Sequence, residues 1–372
     1  IRKDLNFSQE AYGNITFWFQ FAYGIGSLIG GKMLDRYGTR IGYGLSAGLW
    51  SIAGVLHAFA SSAFQFGAFR MLLGLGEAPN FPAVNKATAE YFPPSQRAMV
   101  MGVVNFGTNF ANIIGPGLFI WIAHTWSWQA CFAAMGVTGF LWLPFWMKVA
   151  RDTSSVAQAP KLASISMREV LRYKPAWGYA WAKFLTDPVW WFYLFWLPTY
   201  LTDARGLTPG QRATALTVIY AISGVGSLIG GAASSYLIKR GWPVGKARKI
   251  TMLSCASVMP LSGLGMVVDN TTLAILLFGL GTAAHQAWMA NLFTTPADTF
   301  PKEAVGSVNG FGVFAGAMGG ALFSGLIPGH LLPLVGYAPI LLVMSCFYLL
   351  AYLVVHKLMG NLEMVKLEPK VS

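Results

Sequence analysis

Apolar residues run along this chain in stretches of about 18 to 25, broken by short pieces rich in charge, glycine or proline. Wound as helix, a stretch of that length crosses the ~30 Å hydrocarbon layer of a bilayer, where backbone groups find no water and must bond internally. The pattern predicts about eleven spans, over 11–31, 41–60, 65–89, 98–122, 128–148, 177–201, 213–237, 250–268, 272–293, 306–328 and 337–356. The fold class that follows is all-α, a polytopic membrane protein.

Composition agrees. Only 11% of the 372 residues are charged and the mean hydropathy is +0.52. A soluble domain carries about 25% charge, so this chain cannot cover a water-facing surface. The net charge of +12 would suit a nucleic-acid partner, but its placement points to the lipid bilayer instead. Alternate loops on one side hold Lys32, Arg36, Arg40, Arg97, Lys148, Lys174, Lys239, Arg248 and Lys302, while the other side has Arg2, Lys3, Arg205 and Arg212. The positive-inside rule makes the first side cytoplasmic and excludes any need for nucleic acid. The C-terminus is then cytoplasmic and the N-terminus outside, an odd number of crossings. With Ile1 at the start and Met33 as the first methionine, the expectation is a helix missing from the N-terminus. Cys131, Cys255 and Cys346 lie in apolar runs without paired spacing, which supports neither a disulfide framework nor a metal site, and no cofactor is expected.

The hexapeptide Gly-Ser-Leu-Ile-Gly-Gly occurs at 26–31 and at 226–231, Gly-Leu-Gly at 74–76 and 279–281, and Gly-x-Val-Asn at 102–105 and 306–309. The steady offsets of 200, 205 and 204 predict a duplication, with two bundles in the same orientation about an axis along the membrane normal. The expected organisation is an N-terminal bundle at 1–149 lacking its first helix, a cytoplasmic linker at 150–175, a six-helix bundle at 176–357 and a cytoplasmic tail at 358–372.

After the first visible span comes Gly31-Lys-Met-Leu-Asp35-Arg36-Tyr-Gly38-Thr-Arg40, a tight charged turn fit to pair across a bundle or with a helix terminus. It resembles the signature loop between the second and third helices of the major facilitator superfamily, and Gly231 to Arg248 resembles its degenerate repeat. The strings Phe69-Arg70-Met-Leu-Leu-Gly74-Leu-Gly76-Glu77-Ala78-Pro79-Asn80, Asn105-Phe-Gly107-Thr108-Asn109, Lys183-Phe-Leu-Thr186-Asp187-Pro188-Val-Trp190-Trp191 and Ala284-His285-Gln286 look like its anion:cation symporter branch, in particular bacterial hexuronate transporters. The resemblance implies about 11 of 12 transmembrane helices, residence in the bacterial inner membrane as a monomer, and uptake of an organic anion together with a proton by alternating access. It also implies a cytoplasmic gate motif of Gly31, Asp35, Arg36, Gly38 and Arg40.

Polar residues inside apolar spans are costly and mark candidate sites. Glu77, near the centre of its span, is the candidate proton-coupling acid. Arg70, two turns earlier, is either its electrostatic regulator or an anchor for a carboxylated ligand, the alternative being a structural ion pair. Asn80, Asn105, Thr108 and Asn109 offer neutral partners to sugar hydroxyls, although interhelical hydrogen bonds explain the same residues. Tyr23 is a ligand contact or a packed aromatic. Lys183 either pairs with Asp187 at i and i+4 or attracts an anionic substrate. Trp191 and Tyr193 offer faces for a sugar ring, and His285, Gln286 and Asn291 line a cavity or are satisfied core residues. Asp298 reads as gate or loop electrostatics.

No phosphate loop, His/Glu metal pair or nucleophile with a base is visible, so an enzyme is not expected. A membrane enzyme acting on lipid-linked sugars, a receptor on a carrier fold and an anion exchanger stay open as alternatives.

Overall fold

The structure is a computed structural model that describes residue 5, residues 9–150 and residues 167–365. Most of the predicted linker, 151–166, lies outside the described residues, as do Arg2, Lys3 and the end of the predicted tail from 366. Among the described residues no strand occurs. The helices are α1 (Gln9–His57), α2 (Ala63–Glu77), α3 (Asn80–Tyr91), α4 (Pro94–Thr125), α5 (Trp128–Val149), α6 (Met167–Val170), α7 (Lys174–Phe195), α8 (Leu197–Asp203), α9 (Pro209–Lys239) and α10 (Val244–Leu264). They continue with α11 (Thr271–Leu292), α12 (Thr295–Thr299), α13 (Lys302–Gly320), a π-helical turn (Ala321–Leu326), α14 (Ile327–Val335) and α15 (Tyr337–Leu358). All eleven predicted runs fall on helix, and six of the segments among the described residues are long and apolar enough by themselves to cross a membrane.

At four places the chain departs from separate straight rods, each for a local reason. The first two runs meet within α1, where Gly38 (φ 78°, ψ 164°) leaves helical geometry and kinks the element into two helices, a backbone that only glycine adopts without strain. The third run breaks between α2 and α3 at Ala78-Pro79, since Pro79 has no N–H to continue the ladder. The sixth breaks at Trp196, just before Pro198. Pro188 also deprives the Phe184 carbonyl of its helix donor, and Gly319 is accommodated there because a Cβ would lie 2.2 Å from that oxygen. The tenth run passes through the π-turn, where Ser324 donates to the Pro188 carbonyl at 2.8 Å and Trp196 Nε1 to the Ser324 carbonyl at 2.7 Å.

Helix starts differ between the two ends. Ser62, Ser127, Thr208 and Asn270 accept from a backbone N–H three residues on, and all four precede helices that enter from the end poor in basic residues. At the basic end Pro93, Pro243 and Pro301 stand at the N-caps of α4, α10 and α13, where a missing N–H costs little.

Two bundles result. In the first, α1 packs on α2 and α5, with Ile15, Phe66, Trp128 and Phe132 in one cluster. In the second, α7, α10, α11 and α15 surround a larger core with Trp288, Tyr193 and Phe278 at its centre. They meet along two seams, α1 on α13 and α4 on α9.

Candidate functional site

The seams explain the repeated hexapeptide. Ser27 donates to the Gly310 carbonyl at 3.0 Å and to the Gly24 carbonyl at 2.7 Å, and Ser227 donates to the Gly102 carbonyl at 2.9 Å and the Gly224 carbonyl at 2.7 Å. A Cβ on Gly31 would lie 2.3 Å from the Gly306 carbonyl oxygen, and one on Gly231 would lie 2.3 Å from that of Ala98. Backbones touch at both seams, which only glycine permits.

At the basic end the contacts cross between the bundles. Asp35 receives Lys86 Nζ at 2.6 Å and the backbone N–H groups of Gly306 at 2.9 Å and Ser307 at 2.6 Å, so both its oxygens are used. Arg97 Nη1 meets Asp298 Oδ1 at 2.8 Å, and Arg248 Nε meets Asp298 Oδ2 at 3.2 Å while its Nη2 reaches the Pro94 carbonyl at 2.7 Å. Phe81 stacks on Phe293 with centroids 5.3 Å apart, and Asn85 donates to Asn309 at 2.7 Å, an oxygen that Tyr179 also approaches at 2.9 Å. Of the other gate-motif residues, Arg36 is exposed and lies over Tyr37, whereas Arg40 bonds the Met147 carbonyl and so ties the turn after Gly38 to α5.

Deeper in, the break after Glu77 brings its carboxyl inside the protein, within electrostatic reach of Arg70 and of the Tyr23 hydroxyl. Arg70 lies 5.7 to 5.9 Å from the ring centroids of Phe19, Phe66 and Phe132, in the first bundle's interior rather than on its lipid face. From the second bundle, Asp187 is within electrostatic reach of the same Tyr23 hydroxyl. Asp187 Oδ2 is 2.7 Å from Lys183 Nζ, which sits 4.6 Å from the Phe293 ring. Behind them His285 stacks on Trp190 at 5.1 Å and pairs through Nδ1 with the Tyr348 hydroxyl.

Glu77, Arg70, Tyr23 and the Lys183–Asp187 pair are thus linked by electrostatic reach from α2 through α1 to α7, with His285 within reach of Lys183. The remaining candidates sit elsewhere. Asn80 accepts from Tyr43 at 2.5 Å. Asn105 and Asn109 are buried in the α4–α9 seam, joined by Asn109 Nδ2 to the Asn105 carbonyl at 2.8 Å, with Asn105 Nδ2 and Asn109 Oδ1 buried and unpaired. Thr108 is exposed and bonds its own helix. Trp191 packs on Gly320 and Phe195, Tyr193 is wholly inside the second core, and Asn291 bonds the Gly230 and Ala287 carbonyls, while Gln286 is buried beside His285. A cavity of about 580 Å³ opens between the starts of α9 and α11, and one of about 380 Å³ between α4 and α9 at the basic end; neither is lined by a predicted substrate residue.

Sequence reasoning passed over Asn85, Tyr179 and Tyr348 as site neighbours. Asn309 was within reach as the repeat mate of Asn105, and Lys86 as a cation inside a predicted span.

Two bundles meeting at glycine seams, closed by charge at one end and polar within, define a membrane transporter rather than an enzyme. The chain belongs to the Major Facilitator Superfamily, whose family profile matches residues 1–324. It is 28% identical over 381 aligned positions to a protein named hexuronate transporter from Escherichia coli (strain K12), covering 97% of this chain and 88% of that one. It is 29% identical to the hexuronate transporter of Bacillus subtilis (strain 168), covering 87% and 80%. The probable galactarate/D-glucarate transporter GarP of Escherichia coli (strain K12) is 26% identical, covering 99% and 90%. Among solved structures, the proton:xylose symporter XylE superposes with a TM-score of 0.78 at 16% identity, covering 96% and 89%, and the human organic anion transporter MFSD10 with 0.70 at 17%, covering 92% and 83%. The fold is therefore that of the superfamily.

Proposed function

We propose that the protein takes up a sugar acid, most closely a hexuronate such as glucuronate or galacturonate, together with a proton, by alternating access across the cell membrane. The similarity to hexuronate and galactarate/D-glucarate transporters over nearly the whole chain supports the substrate class. The observation that carries the coupling is Glu77, a carboxyl group inside the first bundle beside Arg70 and facing Tyr23. An acid so placed can hold a proton while Arg70 and Lys183 attract the anion, and release it when the site opens to the other side. The closed basic end and the two backbone seams suit a rocking of one bundle against the other. We read residues 1–149 and 176–357 as those bundles, with 150–175 as linker, and the basic end and C-terminus as cytoplasmic. The carrier works as a monomer.

The test is uptake of labelled D-glucuronate and D-galacturonate by proteoliposomes with and without an inward proton gradient. Accumulation only with the gradient is expected, and Glu77→Gln abolishes it while sparing anion exchange. Gradient-independent uptake would remove the proton from the mechanism, and no uptake of any sugar acid would remove the substrate.

A further inference from the structure

We propose that Asp187 masks the charge of Lys183 and that a proton on Asp187 unmasks it, which makes Asp187 a second coupling acid in the transport site. The inference rests on the reading that the protein carries a sugar acid and adds a residue to it.

Three aspartates in ion pairs differ in how their carboxylate oxygens are used. Asp35 uses both oxygens, on Lys86, Gly306 N–H and Ser307 N–H, and Asp298 uses both, on Arg97 and Arg248. Asp187 uses one. Its Oδ2 holds Lys183 at 2.7 Å, while its Oδ1 is buried and accepts no hydrogen bond from the protein. A buried ion pair offsets its desolvation only when the remaining lone pairs are satisfied, so a purely structural role predicts the arrangement of Asp35 or Asp298, not this one. The charge of Asp187 also reaches Tyr23 of α1 in the other bundle. The α13 residue against Asp187 is Gly316, where a Cβ would be 2.0 Å from Oδ2, so the packing leaves room for the carboxylate only because that side chain is absent.

Asp187 contacts Lys183 and is within electrostatic reach of Tyr179 on α7, Tyr23 on α1 and Tyr348 on α15, with His285 of α11 within reach of Lys183 and Glu77 of α2 within reach of the same Tyr23 hydroxyl. The phenols add no charge near neutral pH. An anion approaching Lys183 therefore meets a cation already neutralised by its helix neighbour. If Asp187 takes up a proton, the Lys183 ammonium is released to the substrate carboxylate. The pair carries no net charge before binding, and ammonium, neutral acid and bound carboxylate again sum to zero afterwards. One anion enters with one proton without leaving an unpaired charge in the bilayer interior, which is the costly alternative.

The experiment is the pH dependence of D-glucuronate binding to the purified protein in the Glu77→Gln background, read by intrinsic tryptophan fluorescence. Expected is a Kd that rises up to tenfold per pH unit, the slope of one linked proton, and Asp187→Asn flattens it at the low-pH affinity. A slope that survives Asp187→Asn overturns the inference. Should Asp187→Asn not fold, the infrared difference spectrum on adding D-glucuronate to the Glu77→Gln protein decides: a new protonated-carboxyl band supports it and its absence overturns it. No binding of D-glucuronate, D-galacturonate or galactarate by the unaltered protein at any pH removes the transport reading and this inference together, whereas binding with an untouched slope removes this inference alone.

Discussion

Arg97 Nη1 lies 2.8 Å from Asp298 Oδ1, a charge pair that ties the start of α4 in one bundle to α12 in the other. Arg248 shares the carboxylate, and all three side chains are buried. Removing one partner of such a cluster costs about 3–5 kcal/mol, because the others stay desolvated without compensation. Asp298→Ala should lower the thermal unfolding temperature in detergent and raise thiol labelling of a cysteine placed at Phe293, on the buried side of that closure. Unchanged labelling would mean that the pair does not hold the end shut.

Gly31→Val and Gly231→Val test the two seams. Each adds side-chain atoms where a Cβ alone would sit 2.3 Å from a facing carbonyl oxygen. Overpacking of this kind costs about 1–3 kcal/mol, and here it falls only on the state in which the seam is closed. Both variants should insert into membranes and lose transport, with labelling at the basic end increased. Full transport by either would show that its seam need not close to backbone contact.

Asn105 and Asn109 separate ligand binding from packing. Asn105 Nδ2 is buried and unpaired, a state that costs about 1–3 kcal/mol. Asn105→Leu, similar in volume, should therefore raise thermal stability while reducing uptake of a sugar acid. Raised stability with full uptake would assign the residue to packing alone.

The Tyr23 hydroxyl is within electrostatic reach of both Glu77 and Asp187, one acid from each bundle. Tyr23→Phe keeps the ring and removes the hydroxyl. Gradient-driven accumulation should fall at least severalfold with the unfolding temperature within a few degrees of the parent, as measured by uptake in proteoliposomes and thermal melting in detergent. Parental accumulation would confine Tyr23 to packing.

The spans, the clustering of basic loops at one end and the glycine seams were legible because each leaves a mark of composition or period. The apolar runs are as long as a bilayer is thick, and Gly31 and Gly231 recur at a fixed offset. The break between the first two runs was legible as a charged turn, and Gly38 supplies it; what the charges hid is that helix continues right up to that glycine on both sides, because no proline or further glycine in 32–40 interrupts it. The site was legible residue by residue but not as an arrangement. Glu77 and Lys183 stand out as charges in apolar runs, whereas nothing along the chain says that Tyr23 faces both Glu77 and Asp187, or that Tyr193 points into the second core. Those facts depend on helix rotation, which neighbouring elements set. Asn309 shows the same limit. Its repeat mate Asn105 was singled out, but only the fold pairs Asn309 with Asn85.

Where Ser27 and Ser227 meet opposing carbonyls, the contact is made by hydroxyls, glycines and backbone, with Met318, Phe314 and Phe106 further along the seams. Were those helices to part, each would present a strip of hydroxyls and carbonyl oxygens that water can wet without penalty. The serines and glycines that exclude solvent in one arrangement would then become a hydrophilic stretch in the wall of a passage in the other.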